Sequence, residues 1–148
     1  MTGVQTCALP IYLGADGGLT ASGGEPLLQA GAVAELFEKA HAAGATTCLD
    51  TAAGCFDRAD PAQRRLLSAT DTVLLDIKLF DAAAHRALTV ADNAPVLDCA
   101  RYLAERGTDV WIRRVLVPGL TDGEEDLRRT GAFIRELGNV RQIGRAHV

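Results

Sequence analysis

Residues 20–26 read Thr-Ala-Ser-Gly-Gly-Glu-Pro, and this stretch decides how the surrounding chain folds. A short apolar run precedes it and a helix-forming run follows it, which is typical of a strand-to-helix turn. Gly23 and Gly24 allow a sharp turn and leave room for a ligand to approach the backbone. Glu25 and Pro26 suit the first turn of a helix, where free N–H groups can bind anionic or polar groups. Ordinary βα turns share this pattern, so its meaning depends on the residues downstream.

Strands and helices alternate after this corner. Short apolar runs predict strands over 17–21, 46–49, 72–75 and 110–117, with another beginning at residue 140. Helical periodicity predicts helices over 27–43, 61–67, 81–88, 93–106 and 121–137. In the first helix, Leu36 and Phe37 are expected on the buried face, and Thr121 with Glu124 forms a candidate capping box for the last. This alternation indicates an α/β fold with a parallel sheet and right-handed crossovers.

Polar residues end successive predicted strands at a constant spacing. Asp50 follows Gly24 by 26 positions, and Asp76 follows Asp50 by 26 positions. Lys78 lies two residues after Asp76, so both side chains of an extended chain point the same way. The carboxyl ends of parallel strands are where barrel and doubly wound enzymes place their ligands. The sequence therefore predicts a ligand site at this edge of the sheet.

The composition restricts the class of protein. The chain has 148 residues, 48% of them hydrophobic, and a net charge of −4. These values indicate one globular domain and give no reason to expect nucleic acid or an anionic membrane as a partner. Without a signal-peptide pattern or a membrane-length apolar run, the cytoplasm is the expected compartment. The cysteines, Cys7, Cys48, Cys55 and Cys99, have no metal-binding spacing, and Cys48 and Cys99 are expected to be small buried residues.

We interpret both ends of the sequence as adapter-derived and not as part of the natural protein. Residues 1–11 and 143–148 resemble translated sequencing adapter, and the tail back-translates to a library adapter followed by a stop codon. We therefore expect residues 12–142 to be an internal fragment of a longer protein. Cys7 and His147 carry no functional expectation for the same reason.

Several motifs occur in the order and spacing of a known family. They are Gly-Gly-Leu-Thr-Ala-Ser-Gly-Gly-Glu-Pro at 17–26, Cys-Leu-Asp-Thr at 48–51, Leu-Asp-Ile-Lys at 75–78, Arg-Tyr-Leu-Ala at 101–104, Val-Trp-Ile-Arg at 110–113, Val-Pro-Gly at 117–119 and Gly-Asn-Val at 138–140. Together they resemble the radical S-adenosylmethionine (SAM) activases of glycyl radical enzymes, most closely the branch that acts on pyruvate formate-lyase. The resemblance extends over residues 17–142.

The resemblance implies a partial (β/α) barrel that is incomplete at both ends and, in the whole protein, holds SAM and a [4Fe-4S] cluster. The cluster would reduce SAM to methionine and a 5′-deoxyadenosyl radical, which would abstract hydrogen from a glycine of the partner enzyme. The implied partners are a glycyl radical enzyme, pyruvate formate-lyase or a relative, and a flavodoxin or ferredoxin-type electron donor.

The resemblance also assigns site residues. Gly23, Gly24 and Glu25 would contact the amino acid end of SAM, and Ile77 would line the site beside them. The residues expected to act in catalysis are Asp76, Lys78 and Arg113, of which Asp76 and Lys78 would also contact SAM. The resemblance also places Asp50 and Thr51 in the SAM site. A monovalent cation could be held there by oxygen atoms of Asp50, Thr51 and Asp76, since clustered oxygens suit a hard cation. An alternative for Arg113 is a structural ion pair with Asp76 or Asp50.

One feature of the family is absent from the sequence. The C-x3-C-x2-C loop that ligates the cluster should precede the Gly-Gly-Glu corner, and the four cysteines do not match it. The fragment is therefore expected to be inactive as written. Two other functions stay open: activation of a different glycyl radical enzyme, and a non-catalytic βα module that binds a small ligand or a partner surface.

Overall fold

The structure is a computed structural model that describes residues 17–147, with side-chain environments described for 17–144. The expectations for residues 1–11, including Cys7, lie outside this part of the chain. The strands are β1 (Gly18–Ala21), β2 (Thr46–Thr51), β3 (Thr72–Asp76), β4 (Asp109–Leu116) and β5 (Val140–His147). The α-helices are α1 (Ala30–Ala42), α2 (Pro61–Ser68), α3 (Ala82–Thr89), α4 (Ala94–Arg106) and α5 (Glu124–Leu137), and a 3-10 helix (Pro26–Gln29) precedes α1. No helix in this described part is both long and apolar enough to span a membrane.

The five strands form one parallel sheet whose spatial order follows the chain, β1-β2-β3-β4-β5. At least one helix connects each strand to the next, as parallel pairing requires. This architecture confirms the predicted α/β class and corresponds to part of a (β/α) barrel. The carboxyl ends of all five strands meet at one edge, so the predicted site residues are brought to the same side of the molecule.

The helices cover one face of the sheet. Side chains alternate across each strand, and the half that faces the helices is buried. The core contains Leu49, Val73, Leu75, Val110 and Ile112 from the strands and Ala34, Phe37, Leu66, Leu67, Val96, Cys99, Leu103 and Phe133 from the helices. The central strands are therefore anchored by apolar contacts on this face alone.

The opposite face of the sheet remains partly open to solvent in the described residues. Asp50, Leu74 and Trp111 lie side by side across β2, β3 and β4 on this face, and Trp111 is 42% exposed. Arg113 follows two positions after Trp111 and shares its face. This open face corresponds to the interior of the barrel and leads directly to the polar edge.

The first predicted helix differs from the observed one. Residues 26–29 form a 3-10 turn, and the α-helix begins at Ala30. The Glu25 carboxylate caps the turn by accepting a hydrogen bond from Leu27 N–H at 3.1 Å, which tightens the chain at the corner. Leu36 was expected to be buried, but it is 37% exposed while Phe37 is fully buried, because Ala34 and Ala40 provide the inward face instead.

The capping box predicted at Thr121 and Glu124 is wrong. Helix α5 begins after Gly123, which makes no side-chain cap. The Thr121 hydroxyl instead donates to the Val115 carbonyl oxygen at 2.7 Å and accepts from Val117 N–H at 2.8 Å. These bonds close the loop that follows β4, and this tertiary role outweighs the local capping pattern.

The last strand also extends beyond its expected length. The sequence predicts that the segment 143–148 interrupts β5, but β5 continues to His147 and stays paired with β4. A register shift occurs near its start, between Val110 and Trp111. The adapter origin of this tail stays a prediction, since strand pairing depends on backbone groups that any sequence provides.

The packing of α1 generates a first prediction. Phe37→Ala should lower the free energy of unfolding by about 3–5 kcal/mol, because a fully buried ring leaves a cavity. Urea denaturation followed by circular dichroism measures this change. The neighbouring substitution Leu36→Ala is the matched control and should cost about 1 kcal/mol or less; equal costs for the two variants would contradict the observed orientation of α1.

Candidate functional site

The Gly-Gly corner follows β1 at the polar edge of the sheet. Gly23 has a φ of 86° and Gly24 a φ of 57°, in the left-handed region that glycine adopts without strain. Among the described residues, no atom beyond the adjoining residues lies within 4 Å of a Cβ placed on either glycine, so this part of the chain leaves the corner open. Backbone conformation explains the glycine pair, and the open surface leaves both peptide groups accessible to a ligand.

Glu25 joins this corner to the end of β2. The Thr51 hydroxyl donates to the Glu25 carboxylate at 2.6 Å, and the Ala52 N–H donates to its other oxygen at 3.1 Å. Thr51 is buried and also accepts from the Ala53 N–H at 2.8 Å. Glu25 therefore fixes the position of the glycine pair relative to β2, and both of its carboxylate oxygens are engaged within the protein, by three hydrogen bonds in all.

Four charged side chains meet near the carboxyl ends of β2 and β3, where Arg113 of β4 lies beside Asp76. The Arg113 Nε atom donates to Asp76 at 2.6 Å, and its two terminal nitrogens donate to the Asp50 carboxylate at 2.7 and 3.1 Å. The Lys78 ammonium donates to the second Asp76 oxygen at 2.6 Å. The alternative of an ion pair for Arg113 is thus observed, with both aspartates at once.

The strand register explains why an arginine is needed there. Asp50 is aligned with Leu74, whereas Asp76 is aligned with Arg113. The equal spacing along the chain predicts that Asp50 and Asp76 lie directly opposite each other on β2 and β3. In the observed register Asp50 lies opposite Leu74, two residues before Asp76. The long guanidinium spans this offset and brings both carboxylates into one cluster, which we call the charged cluster (Asp50, Asp76, Lys78 and Arg113).

The electrostatics of the charged cluster hold Asp76 and Arg113 ionised. Only 10% of the Asp76 side chain is exposed. Burial raises the pKa of Asp76, but hydrogen bonds and charges from Arg113 and Lys78 outweigh it, so the pKa lies below its usual value. The pKa of Arg113 is raised, chiefly by its hydrogen bonds to Asp76 and then to Asp50. Asp76 and Arg113 therefore both carry their charges at neutral pH.

Ser22 is a site residue that the sequence did not reveal. Its hydroxyl donates to Asp50 at 2.9 Å from the turn that precedes Gly23. The contact connects the glycine corner to the charged cluster. Its only signal in the sequence is its position just before the glycine pair, and serine is common in turns of every kind.

The expected cation ligands are not brought together as a set of side chains. Thr51 directs its hydroxyl to Glu25, whereas Asp50 and Asp76 lie on the opposite, open face of the sheet. The space between these two carboxylates is occupied by the Arg113 guanidinium. Within the described residues no group of three or more histidine, cysteine, aspartate or glutamate side chains is arranged to hold a metal ion.

The described cysteines do not fit an iron–sulfur cluster. Cys48, Cys55 and Cys99 are free thiols that lie on β2, in the loop after β2 and on α4. Burial raises the pKa of all three, in Cys99 to about 12, whereas cluster ligands are thiolates. Cys99 is buried as expected; Cys48 lies on the open face and is partly exposed.

The fold and the site define a class of protein: a (β/α) barrel segment with a cluster of charged side chains at the carboxyl edge of its open face. The sequence profile of the radical SAM superfamily matches residues 11–131. The chain belongs to this family.

Curated relatives share much of the sequence. The pyruvate formate-lyase-activating enzyme of Listeria monocytogenes is 46% identical over 131 residues, which cover 86% of this chain and 52% of that protein. The enzyme of the same name from Staphylococcus epidermidis is 44% identical over 137 residues, covering 90% of this chain and 55% of that protein. The chain thus spans about half the length of the curated relatives it matches.

Solved structures support the fold. A domain of pyruvate-formate lyase-activating enzyme from Bacteroides vulgatus superposes with a TM-score of 0.74 at 23% identity, covering 85% of this chain and 77% of that one. Streptococcus suis SuiB bound to S-adenosylmethionine has a TM-score of 0.71 at 18% identity, covering 86% of this chain and 29% of that one. At these identities the likeness concerns the fold alone.

The donor set at the edge fits the cofactor that gives the family its name. The amino acid end of SAM carries an ammonium and a carboxylate. Asp50 and Asp76 present carboxylates, and Arg113 and Lys78 present cations, within one cluster on the open face. The charges of the protein are therefore complementary to both charges of the ligand.

The low pKa of Asp76 generates a prediction about acid stability. A carboxyl group whose pKa is lower in the folded chain stabilises it above the unfolded pKa of about 4, and this contribution is lost as the pH falls through the folded pKa. The free energy of unfolding of the wild type should therefore decrease more steeply below pH 4 than that of Asp76→Asn. Parallel pH dependences of the two proteins in urea titrations would contradict the assignment.

Proposed function

We propose that this chain supplies the SAM-binding part of an activating enzyme for a glycyl radical enzyme, with pyruvate formate-lyase as the substrate protein. Radical SAM membership and 44–46% identity to activating enzymes of that name support the proposal. Because the chain spans about half of those relatives, the complete reaction is proposed for the whole protein and not for this segment.

The charged cluster is the observation on which the proposal rests. It places two carboxylates, an arginine and a lysine in one hydrogen-bonded network on the carboxyl side of three adjacent strands. Here the cluster faces the open interior beside the Gly23–Gly24 corner, where a ligand can reach it.

Each residue has a proposed role in ligand binding. The Arg113 guanidinium holds the ligand carboxylate, and Asp50 and Asp76 hold its ammonium. Lys78 keeps Asp76 ionised and lines the site for the glycine of the substrate protein. Ile77, which the resemblance assigned to the same site, is instead buried in the apolar core, with 1% of its surface exposed. Gly23 and Gly24 offer their accessible peptide groups. When bound, SAM supplies the reactive group that removes the hydrogen atom from the substrate glycine.

The same proposal names the partners and the compartment. The substrate partner is the glycyl radical enzyme itself, and a flavodoxin or ferredoxin-type protein is the proposed electron donor. The free thiols of Cys48, Cys55 and Cys99 are in keeping with the reducing conditions of the cytoplasm. We keep the activation of another glycyl radical enzyme as the second candidate, because the chain matches only about half the length of the relatives named for pyruvate formate-lyase.

Titration of SAM into the purified chain by isothermal calorimetry tests the site. Arg113→Met should weaken SAM binding at least about tenfold, because a charge-assisted pair with the ligand carboxylate is lost. Arg58→Met is the matched control, since Arg58 also bridges two carboxylates, Asp98 at 2.9 Å and Glu105 at 2.7 Å, on the helix side.

The control variant should bind SAM like the wild type. Absence of SAM binding by the wild type, or equal loss in both variants, would refute the proposed site. A peptide with the radical-bearing glycine segment of pyruvate formate-lyase then distinguishes an activase, which should bind it in the presence of SAM, from a module that binds the small ligand alone.

A further inference from the structure

The loop between β3 and α3 carries Lys78, and the protein holds this loop from two sides. It comprises residues 77–81 and connects Asp76, the last residue of β3, to the first turn of α3. Only its first peptide continues the sheet, with Ile77 N–H donating to the Arg113 carbonyl oxygen at 3.1 Å. Within residues 17–147 the rest of the loop pairs with no strand, and side chains from α4 and α5 bind its peptide groups.

Asp126 on α5 provides the first contact. Its carboxylate accepts from the Phe80 N–H at 3.1 Å and from the Asp81 N–H at 2.7 Å. The other partner of Asp126 is Arg114, at 2.9 Å, with 6% and 13% of the two side chains exposed. Moving this largely buried carboxylate away from the two N–H groups would leave its charge without these hydrogen bonds, which is unfavourable. Helix α5 therefore fixes the position of the loop relative to the sheet.

Asn93 provides the second contact from the start of α4. Its side chain is buried, and its amide donates to the carbonyl oxygens of Leu79 at 3.2 Å and Phe80 at 2.8 Å. Asparagine at this position usually caps the following helix, but here it makes no cap bond to α4. Its donors serve the loop instead of its own helix.

We propose that Asn93 and Asp126 are positioning residues that set the location of the Lys78 ammonium beside Asp76, and thereby the affinity of the site for SAM. This inference rests on the proposed function, because it assigns these residues to the same ligand site. The geometry supports it: the two side chains bind opposite polar groups of one short loop, N–H groups from α5 and carbonyl groups from α4. Neither touches the charged cluster itself.

Asn93→Ala in the full 148-residue chain tests the proposal, with Asn139→Ala as the matched control. Asn139 is also buried and donates to a loop carbonyl, that of Thr108, at 2.8 Å, but it lies at the opposite end of the sheet. In Asn93→Ala, hydrogen exchange at the amides of residues 78–80 should accelerate and the NMR-titrated pKa of Asp76 should rise. SAM affinity should fall about tenfold. Asn139→Ala should show none of these changes.

Asp126→Glu provides a second variant that keeps a charge opposite Arg114 while displacing the carboxylate from the loop N–H groups. This variant should also show faster exchange at residues 78–80, a higher Asp76 pKa and weaker SAM binding. It therefore tests the proposal even when Asn93→Ala does not fold. Unchanged loop exchange and an unchanged Asp76 pKa in these variants, or the same changes in Asn139→Ala, would overturn the positioning role. If the wild type binds no SAM, the proposed function fails, and so does the affinity role assigned to these residues; accelerated exchange would then show loop anchoring only.

Discussion

A guanidinium on β4, shared by two carboxylates, joins the ends of β2 and β3, and the rest of the site depends on it. Asp50 and Asp76 lie on neighbouring strands of the same face, where two unpaired negative charges would repel each other. Arg113 removes this repulsion and spans the two-residue offset of their register. The cluster is compact and, in the described part of the chain, open to solvent on one side, so a ligand with its own carboxylate and ammonium could replace some of its internal ion pairs.

The two faces of the sheet divide the work of holding this cluster in place. On the helix side, apolar residues of β2, β3 and β4 pack against α1, α2, α4 and α5, which keeps the strand ends aligned. On the open side, polar residues are free to meet. Arg113 and Arg114 illustrate the division: the first belongs to the cluster, and the second is buried against Asp126 and supports the loop of Lys78.

Sequence patterns predicted the alternation of elements and the meeting of Asp50, Asp76 and Lys78, whereas Arg113 was expected there only from the family resemblance. These features follow from apolar periodicity and from the way parallel strands end at a common edge. The register offset could not be predicted, because spacing along the chain does not determine which residues pair across strands. Asn93 and Thr121 were misjudged or missed for a related reason: each has a local capping pattern, but each bonds instead to a loop brought near by tertiary folding.

The adjacent arginines of β4 determine how the length of this strand can vary. Inserting one residue between Trp111 and Ile112 would rotate everything after it by half a turn and exchange the faces of Arg113 and Arg114. One arginine would then still lie on each face of the sheet. Ile112, however, would leave the core for solvent. The buried side chain of Ile112, and not the two adjacent arginines, therefore determines which residues of β4 face the core. Exchanging the residue types at two neighbouring positions should be tolerated more readily than inserting a single residue into the strand.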